Sequence, residues 1–189
     1  MPVHSSLSLG ESHLGYSWDC VVGLGSNLGD RAGHLKAAVG MLSRLGTVAA
    51  LSNVYETAAV GGPSQPAYLN AAARLETGLG PRDLLEALQR AEYAEGRVRR
   101  EHWGPRTLDL DLLWIGGLAV FSSALTVPHP RLAVRAFALV PMLDVAPDAV
   151  DPVHGVPYAV RRGHLVTHGV FRLVGSLALA EDQRPWKSP

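Results

Sequence analysis

The chain has 189 residues, 47% of them apolar, with 17 lysines and arginines against 17 aspartates and glutamates. That is one domain of ordinary size with enough apolar side chain to bury a core. It excludes a disordered chain and lacks the overall basic field of a nucleic-acid binder, although local basic clusters could still hold phosphates. The one cysteine, Cys20, rules out an intrachain disulfide and a zinc site built from several thiolates, and no run approaches the ~20 apolar residues of a membrane helix.

Residues 1–18 are rich in Ser, Gly and His and are expected to form a flexible extension. They lack the basic start and long apolar run of a signal peptide, and together with the lone thiol this points to a reducing cytoplasm. The main domain is expected over 19–175, followed by a polar tail, 176–189. Cys20-Val21-Val22-Gly23-Leu24 is continuously apolar, as a central buried strand is, and Cys20 reads as a small core residue. A glycine-bearing loop, 25–30, leads into a helix from about Arg31 to Leu45, with Leu35, Val39, Leu42 and Leu45 on one side and Gly46 as its stop. Val48 to Thr57 reads as a second strand. After a loop of Gly, Pro and Ser, Tyr68 to Thr77 reads as a third, with Tyr68, Asn70 and Ala72 on one face and Leu69, Ala71 and Ala73 on the other.

Gly80-Pro81 opens a second helix whose buried stripe is Leu84, Leu85 and Leu88, and Gly96 closes it. A basic irregular loop, 97–106, precedes an alternating strand from Thr107 to Ile115. Gly116-Gly117 is expected to turn that strand into a hairpin with Leu118 to Phe121. A last helix is expected over Ala136 to Val145. The tail after Asp151 holds a loop and, within 166–179, either a strand or a short helix. The order β-α-β-β-α-β with additions at the C-terminus is that of an α+β, ferredoxin-like sandwich: a mainly antiparallel sheet with helices on one face.

Asp109 and Asp111 lie two apart in a strand and so share a face, while Leu108, Leu110 and Leu112 occupy the other. Like charges side by side stabilise nothing unless a cation joins them, and hard carboxylate oxygens suit Mg²⁺ together with substrate phosphates. Just upstream stand Arg97, Arg99, Arg100 and Arg106, with Trp103 among them. Arginine forks match phosphate oxygens, and Gly104-Pro105 is a turn that allows the segment to act as a lid. Gln89 and Glu92 share a helix face. Tyr68 and Asn70 share a strand face, where an aromatic beside an amide can stack on a heterocycle and bond its edge. His129 sits between prolines in a rigid turn.

Each signal has a plain structural reading too: solvated acids on a strand, a charged surface loop, a core tyrosine, a structural histidine. Gly23, Gly25 and Gly29 mimic a dinucleotide fingerprint, but their spacing is off by one and no crossover helix joins the second and third strands. His164 and His168 have a metal-like spacing without a partner and read as surface residues.

Four ordered segments carry a family resemblance. They are Gly25-Ser26-Asn27-Leu28-Gly29-Asp30, Tyr68-Leu69-Asn70-Ala71-Ala72, Trp103-Gly104-Pro105-Arg106-Thr107-Leu108-Asp109-Leu110-Asp111-Leu112-Leu113, and Thr126-Val127-Pro128-His129-Pro130. Between about Asp19 and Asp151 the chain resembles the hydroxymethyldihydropterin pyrophosphokinases. The resemblance implies transfer of the β,γ-diphosphate of ATP to 6-hydroxymethyl-7,8-dihydropterin, releasing AMP, in folate biosynthesis. It also implies two Mg²⁺ ions on Asp109 and Asp111, and phosphate binding by Arg97 and Arg106 with Trp103 on the same loop. Gln89, Glu92, Thr126, His129 and Arg135 would lie on the ATP side. Tyr68 and Phe137 would sandwich the pterin, with Asn70 and the backbone from Thr57 to Val60 at its edge. The expected partners are therefore these small molecules, with no nucleic acid and no membrane, and the enzyme a monomer, with a dimer left open. A residue count of 189 leaves no room for a fused dihydropteroate synthase or aldolase domain.

Overall fold

The computed structural model describes residues 17–97, 104–162, 165 and 172–177. Strand β1 (Trp18–Ser26) is followed by α1 (Arg31–Leu42), β2 (Thr47–Leu51), β3 (Asn53–Thr57), β4 (Tyr68–Thr77) and α2 (Pro81–Ala94). Then come β5 (Asp109–Ile115), β6 (Val120–Phe121), β7 (Thr126–Val127), α3 (Ala136–Val145), α4 (Tyr158–Arg162) and β8 (Arg172–Ser176). The main sheet runs β5-β1-β4-β3-β8, with β2 also on β4, and the registers join its strands antiparallel. The expected β-α-β-β-α-β core is present, with β1 central and Cys20 fully buried in it.

One face of the sheet packs under α1 and α2. Cys20, Val22 and Leu24 of β1, the odd-numbered apolar residues of β4, and Leu108, Leu110 and Leu112 meet Leu35, Leu42, Leu84 and Leu88 there. The helices are not confined to that face. Val21, Ala72, Leu113 and Trp114 form a second apolar surface, covered by Leu139, Met142, Leu143 and Val145 of α3 and by Tyr158 of α4. Alternation along each strand makes the second layer possible: the residues directed away from α1 and α2 form a second face, part of which α3 and α4 cover.

The strand Tyr68–Thr77 and the helix Ala136–Val145 have the bounds that the sequence suggests. Other elements differ for local reasons. The first helix stops at Leu42 and not Leu45, because its last turn tightens into the bonds Arg44 N–H to Met41 O and Leu45 N–H to Leu42 O. Gly46 is therefore not its stop. It lies against β4, where a Cβ would fall 2.1 Å from the Glu76 carbonyl oxygen, so only glycine fits. The expected second strand is broken at Ser52. That buried hydroxyl accepts from Ala72 N–H at 2.7 Å and donates to Asn53 O at 2.6 Å, replacing ladder bonds with side-chain bonds. The turn after β5 closes only with a bridge from Ile115 to Leu118, and β6 pairs with β7 in a separate two-stranded sheet. Leu85 is not buried like Leu84 and Leu88 but lines a cavity. Beyond Asp151 the chain forms α4, unforeseen in the sequence, and then β8, the strand alternative, which pairs with β3. Among the described residues, β1 opens at Trp18 and Leu177 is buried. His164 and His168 lie outside the described residues.

Candidate active site

Residues opposite one another across three strands form the floor of a cavity of about 600 Å³ on the α3 face. The register places Gly25 of β1 opposite Asp109 of β5 on one side and Asn70 of β4 on the other. A Cβ at Gly25 would sit 3.5 Å from Asn70 Oδ1 and 3.6 Å from Asp109 Cβ. Glycine therefore leaves space between an amide on one wall and a carboxylate on the opposite wall. This is a role in shape and not that of a dinucleotide turn.

The β4 wall is aromatic and amide-bearing. Asn70 is buried and donates from Nδ2 to Thr57 Oγ1 at 2.8 Å, which orients its amide and leaves the other donor and the carbonyl oxygen for a ligand edge. Tyr68 is half-buried, and burial pushes its phenol above the ordinary range. Phe137 enters from the first turn of α3, with the Arg135 guanidinium 5.4 Å from its ring centroid. Ala58 and Val60 complete this side.

The β5 wall is charged. β5 is an edge strand, so some of its backbone groups face away from β1 and need partners from elsewhere. Leu110 N–H finds Glu92 Oε1 at 2.7 Å, and Leu113 O accepts from His129 N–H at 2.8 Å. Those two bonds bring Glu92 from α2 and the His129 turn to the site. Glu92 is buried, so a solvated helix face is excluded for it, whereas Gln89 is exposed at the cavity mouth. Arg97 pairs with both Glu92 and Asp109, the latter at 2.6 Å, and Arg106 reaches Asp109 at 3.0 Å. Burial weighs against the Arg106 charge, but Asp109 holds its pKa up. Asp111 is pushed up to about 6 by burial, then by the neighbouring charges of Asp109 and Glu92.

His129 is pushed down to about 4 by burial and by Arg135 and Arg131, so its imidazole is neutral at pH 7. Its Nδ1 accepts from Arg131 N–H at 3.2 Å, which leaves Nε2 carrying the proton as a donor. Arg135 is itself held below its usual value by burial and by Arg131. Cationic side chains thus crowd this end, as suits a polyanion.

Two neighbouring, partly buried carboxylates, one of them raised by burial and by the other's charge, are a donor set that fits a hard divalent cation. Among the described residues no cluster of three or more His, Cys, Asp or Glu side chains is arranged around a common metal position. A pair of aspartates completed by phosphate and water oxygens is the usual Mg²⁺ pattern.

Thirteen of the residues singled out in the sequence line the one cavity: Thr57, Val60, Tyr68, Asn70, Gln89, Glu92, Arg97, Arg106, Asp109, Asp111, His129, Arg135 and Phe137. Thr126 stands apart, on β7 opposite Phe121, and is not among the lining residues. Trp103, Arg99 and Arg100 lie outside the described residues. Sequence reasoning missed Gln65 and Arg131. Gln65 hides in a loop of turn-forming residues, and the one signal for Arg131 is that it follows the rigid turn at His129-Pro130.

The chain is similar to several known proteins. The family model described as 7,8-dihydro-6-hydroxymethylpterin-pyrophosphokinase (HPPK) matches residues 21–147. A 2-amino-4-hydroxy-6-hydroxymethyldihydropteridine pyrophosphokinase of Synechocystis is 43% identical over 137 residues, covering 71% of this chain and 70% of that protein. A protein of the same name from Pseudomonas aeruginosa is 44% identical over 129 residues, covering 67% and 80%. The Folate synthesis bifunctional protein, mitochondrial, of Pisum sativum is 41% identical over 134 residues, 70% of this chain but 26% of that protein. The wild-type HPPK-DHPS structure of Plasmodium falciparum superposes with a TM-score of 0.63 at 12% identity, over 79% of this chain and 45% of that one, a likeness of fold. No helix among the described residues is long and apolar enough to cross a membrane. With its match over residues 21–147 and relatives above 40% identity, the chain belongs to the 7,8-dihydro-6-hydroxymethylpterin-pyrophosphokinase family.

Proposed function

We propose that this chain transfers the β,γ-diphosphate of ATP to the hydroxymethyl oxygen of 6-hydroxymethyl-7,8-dihydropterin, releasing AMP, as a step in folate biosynthesis. The observation that carries the reading is the shared cavity. An aromatic and amide wall from β4 and α3 faces a wall of two aspartates and several arginines within one space. Tyr68 and Phe137 would stack on the pterin and Asn70 would bond its edge. Arg97, Arg106 and Arg135 would receive the triphosphate, His129 would offer Nε2–H to the nucleotide, and Gln89 stands at the mouth on the same side. Diphosphate transfer asks mainly for alignment and charge neutralisation, which fixed guanidinium groups supply.

Asp109 and Asp111 would hold magnesium, expected as two ions, whose chemistry when bound is to neutralise and orient the triphosphate. Arg97 and Arg106 both lean on Asp109. Each guanidinium that turns to a phosphate oxygen releases a carboxylate oxygen for a cation, so substrate binding is an exchange of ionic partners. The balanced charge and single buried thiol support action in the cytoplasm on small molecules, and we take the monomer as the active unit. Incubation with ATP, Mg²⁺ and hydroxymethyldihydropterin should yield AMP only when the pterin is present. ADP as product, or turnover indifferent to pterin, would refute the reading.

A further inference from the structure

Asn27 is 1% exposed and does not line the cavity, yet its side chain joins the cavity's two walls. Its Oδ1 accepts from the Arg106 backbone N–H at 2.8 Å, and its own N–H donates to Arg106 O at 3.1 Å. From the other side of the amide, Nδ2 donates to Gln65 Oε1 at 3.0 Å and to Pro66 O at 3.2 Å. The oxygen is thus committed to the charged wall and both Nδ2 hydrogens to the loop before β4. Gln65 lines the cavity and also accepts from the Tyr68 hydroxyl at 3.4 Å. Arg106 carries its guanidinium to Asp109. One buried amide therefore sets how far the Arg106 backbone stands from the Gln65–Tyr68 side.

We propose that Asn27 is a positioning residue for the reaction, acting through Arg106 and Gln65 to hold the phosphate-binding and pterin-binding walls in register. The inference rests on the diphosphate-transfer reading for its functional consequence and on the hydrogen bonds for its structural one. Only a side chain with an acceptor and two donors on one plane meets all three partners. Aspartate keeps the acceptor and turns the other atom into an acceptor facing two more. Alanine leaves the Arg106 N–H and the Pro66 carbonyl without this partner. A separation of walls that drifts by about 1 Å misaligns the two substrates and can cost ~100-fold in rate while binding each one nearly as well.

The test uses the full chain with Asn27→Ala, Asn27→Asp, Arg106→Ala and the double variant Asn27→Ala with Arg106→Ala. Amide hydrogen exchange followed by NMR reads the clasp without any turnover. The Arg106 N–H should exchange at least ~10-fold faster in Asn27→Ala and stay protected in Asn27→Asp, which retains the acceptor. Pterin-dependent AMP formation should fall ~10- to 100-fold in kcat for Asn27→Ala, with both KM values within about threefold of the wild type. In the Arg106→Ala background the same change should cost less than about threefold, because a residue that acts through Arg106 has little left to position. Unchanged Arg106 exchange in Asn27→Ala would overturn the clasp. Fully additive losses, or a kcat like that of the wild type, would overturn the positioning role. If the unmutated chain forms no AMP at all, the reading of the reaction falls, and the exchange comparison alone decides whether Asn27 holds the two walls. If Asn27→Ala does not fold, Asn27→Asp carries the test: kcat should still fall ~10-fold with Arg106 protected, and a wild-type kcat there would overturn the proposal.

Discussion

Replacing Glu92 separates its two duties. The carboxylate is 5% exposed, pairs with Arg97 and accepts the Leu110 N–H of the edge strand at 2.7 Å. Glu92→Ala removes both. A backbone donor left unpaired in a buried edge costs ~1–3 kcal/mol. Breaking a buried ion pair ordinarily costs ~3–5 kcal/mol, but Arg97 keeps Asp109 at 2.6 Å, so the loss here is well below that figure. Glu92 also pushes the Asp111 carboxyl up, and its removal relieves that repulsion. The expected net is about 2–4 kcal/mol. Glu92→Gln keeps a carbonyl oxygen for Leu110 and loses the charge alone, at about 1–2 kcal/mol on the same reasoning. At ~2–4 °C per kcal/mol for a domain of this size, alanine should lower Tm by roughly 4–16 °C, and glutamine by about half as much. Calorimetric melts of the three proteins at pH 7 measure the difference, and urea unfolding at 25 °C checks it. Alanine and glutamine melting together would show that the Leu110 bond contributes nothing. An alanine variant melting with the wild type would refute the account of the edge strand altogether.

The pterin wall should respond separately from the phosphate wall: Tyr68→Ala and Phe137→Ala should weaken pterin binding at least several-fold in calorimetric titrations, and an equal loss of affinity for an unreactive ATP analogue would contradict the division. Asp109→Ala and Asp111→Ala should nearly abolish AMP formation with the fold retained by circular dichroism, and a chelator should mimic them in the unmutated chain until Mg²⁺ is restored; substantial activity in either variant would remove that residue from the metal assignment. Cys20 has its thiol pushed up to about 12 by burial, so a disulfide reagent at pH 8 should label the native chain at least ~100-fold more slowly than the chain in denaturant, and rapid native labelling would place Cys20 outside the core.

Elements with a strong local rule were legible in the sequence. Tyr68 to Thr77 shows two distinct strand faces, and Ala136 to Val145 is apolar except for Asp144, so both bounds were readable. What failed depended on partners distant in sequence. Nothing near Ser52 announces that Ala72 N–H will take its hydroxyl, so the break between β2 and β3 was invisible. Gly46 looked like a helix stop, because the Glu76 carbonyl that requires a glycine there is thirty residues away. The second apolar face escaped because Val21, Ala72 and Leu113 belong to three strands and become one surface only after pairing. The site was legible where chemistry alone was unusual, as at Asp109 and Asp111. Asn27 stood in a segment that carried the family resemblance but gave no hint of a role, since its three partners lie 38 or more residues along the chain.

The two ends of the basic segment show what a one-dimensional reading of charge leaves out. Four arginines between 97 and 106 suggest mutual repulsion and a loop held open by it. Repulsion depends on what else is near, and both ends of the segment are met by carboxylates from other elements. Arg97 lies between Glu92 of α2 and Asp109 of β5, and Arg106 between Asp109 and the Gly104 carbonyl. Among the described residues that line the cavity, the arginines at 97, 106, 131 and 135 face Glu92, Asp109 and Asp111. Four charges against three is close to balance. A triphosphate upsets that balance, and the arginines then gain a stronger partner while the aspartates lose theirs. The aspartates need a cation at the moment the phosphates arrive. Nucleotide and magnesium should therefore bind with positive coupling, each raising the other's affinity by the same factor. Titration of an unreactive ATP analogue with and without Mg²⁺ measures that factor. It should exceed the value for the analogue and metal alone in solution, and it should collapse in Asp109→Ala. A factor equal to that of free solution would mean that the carboxylates take no part in the exchange.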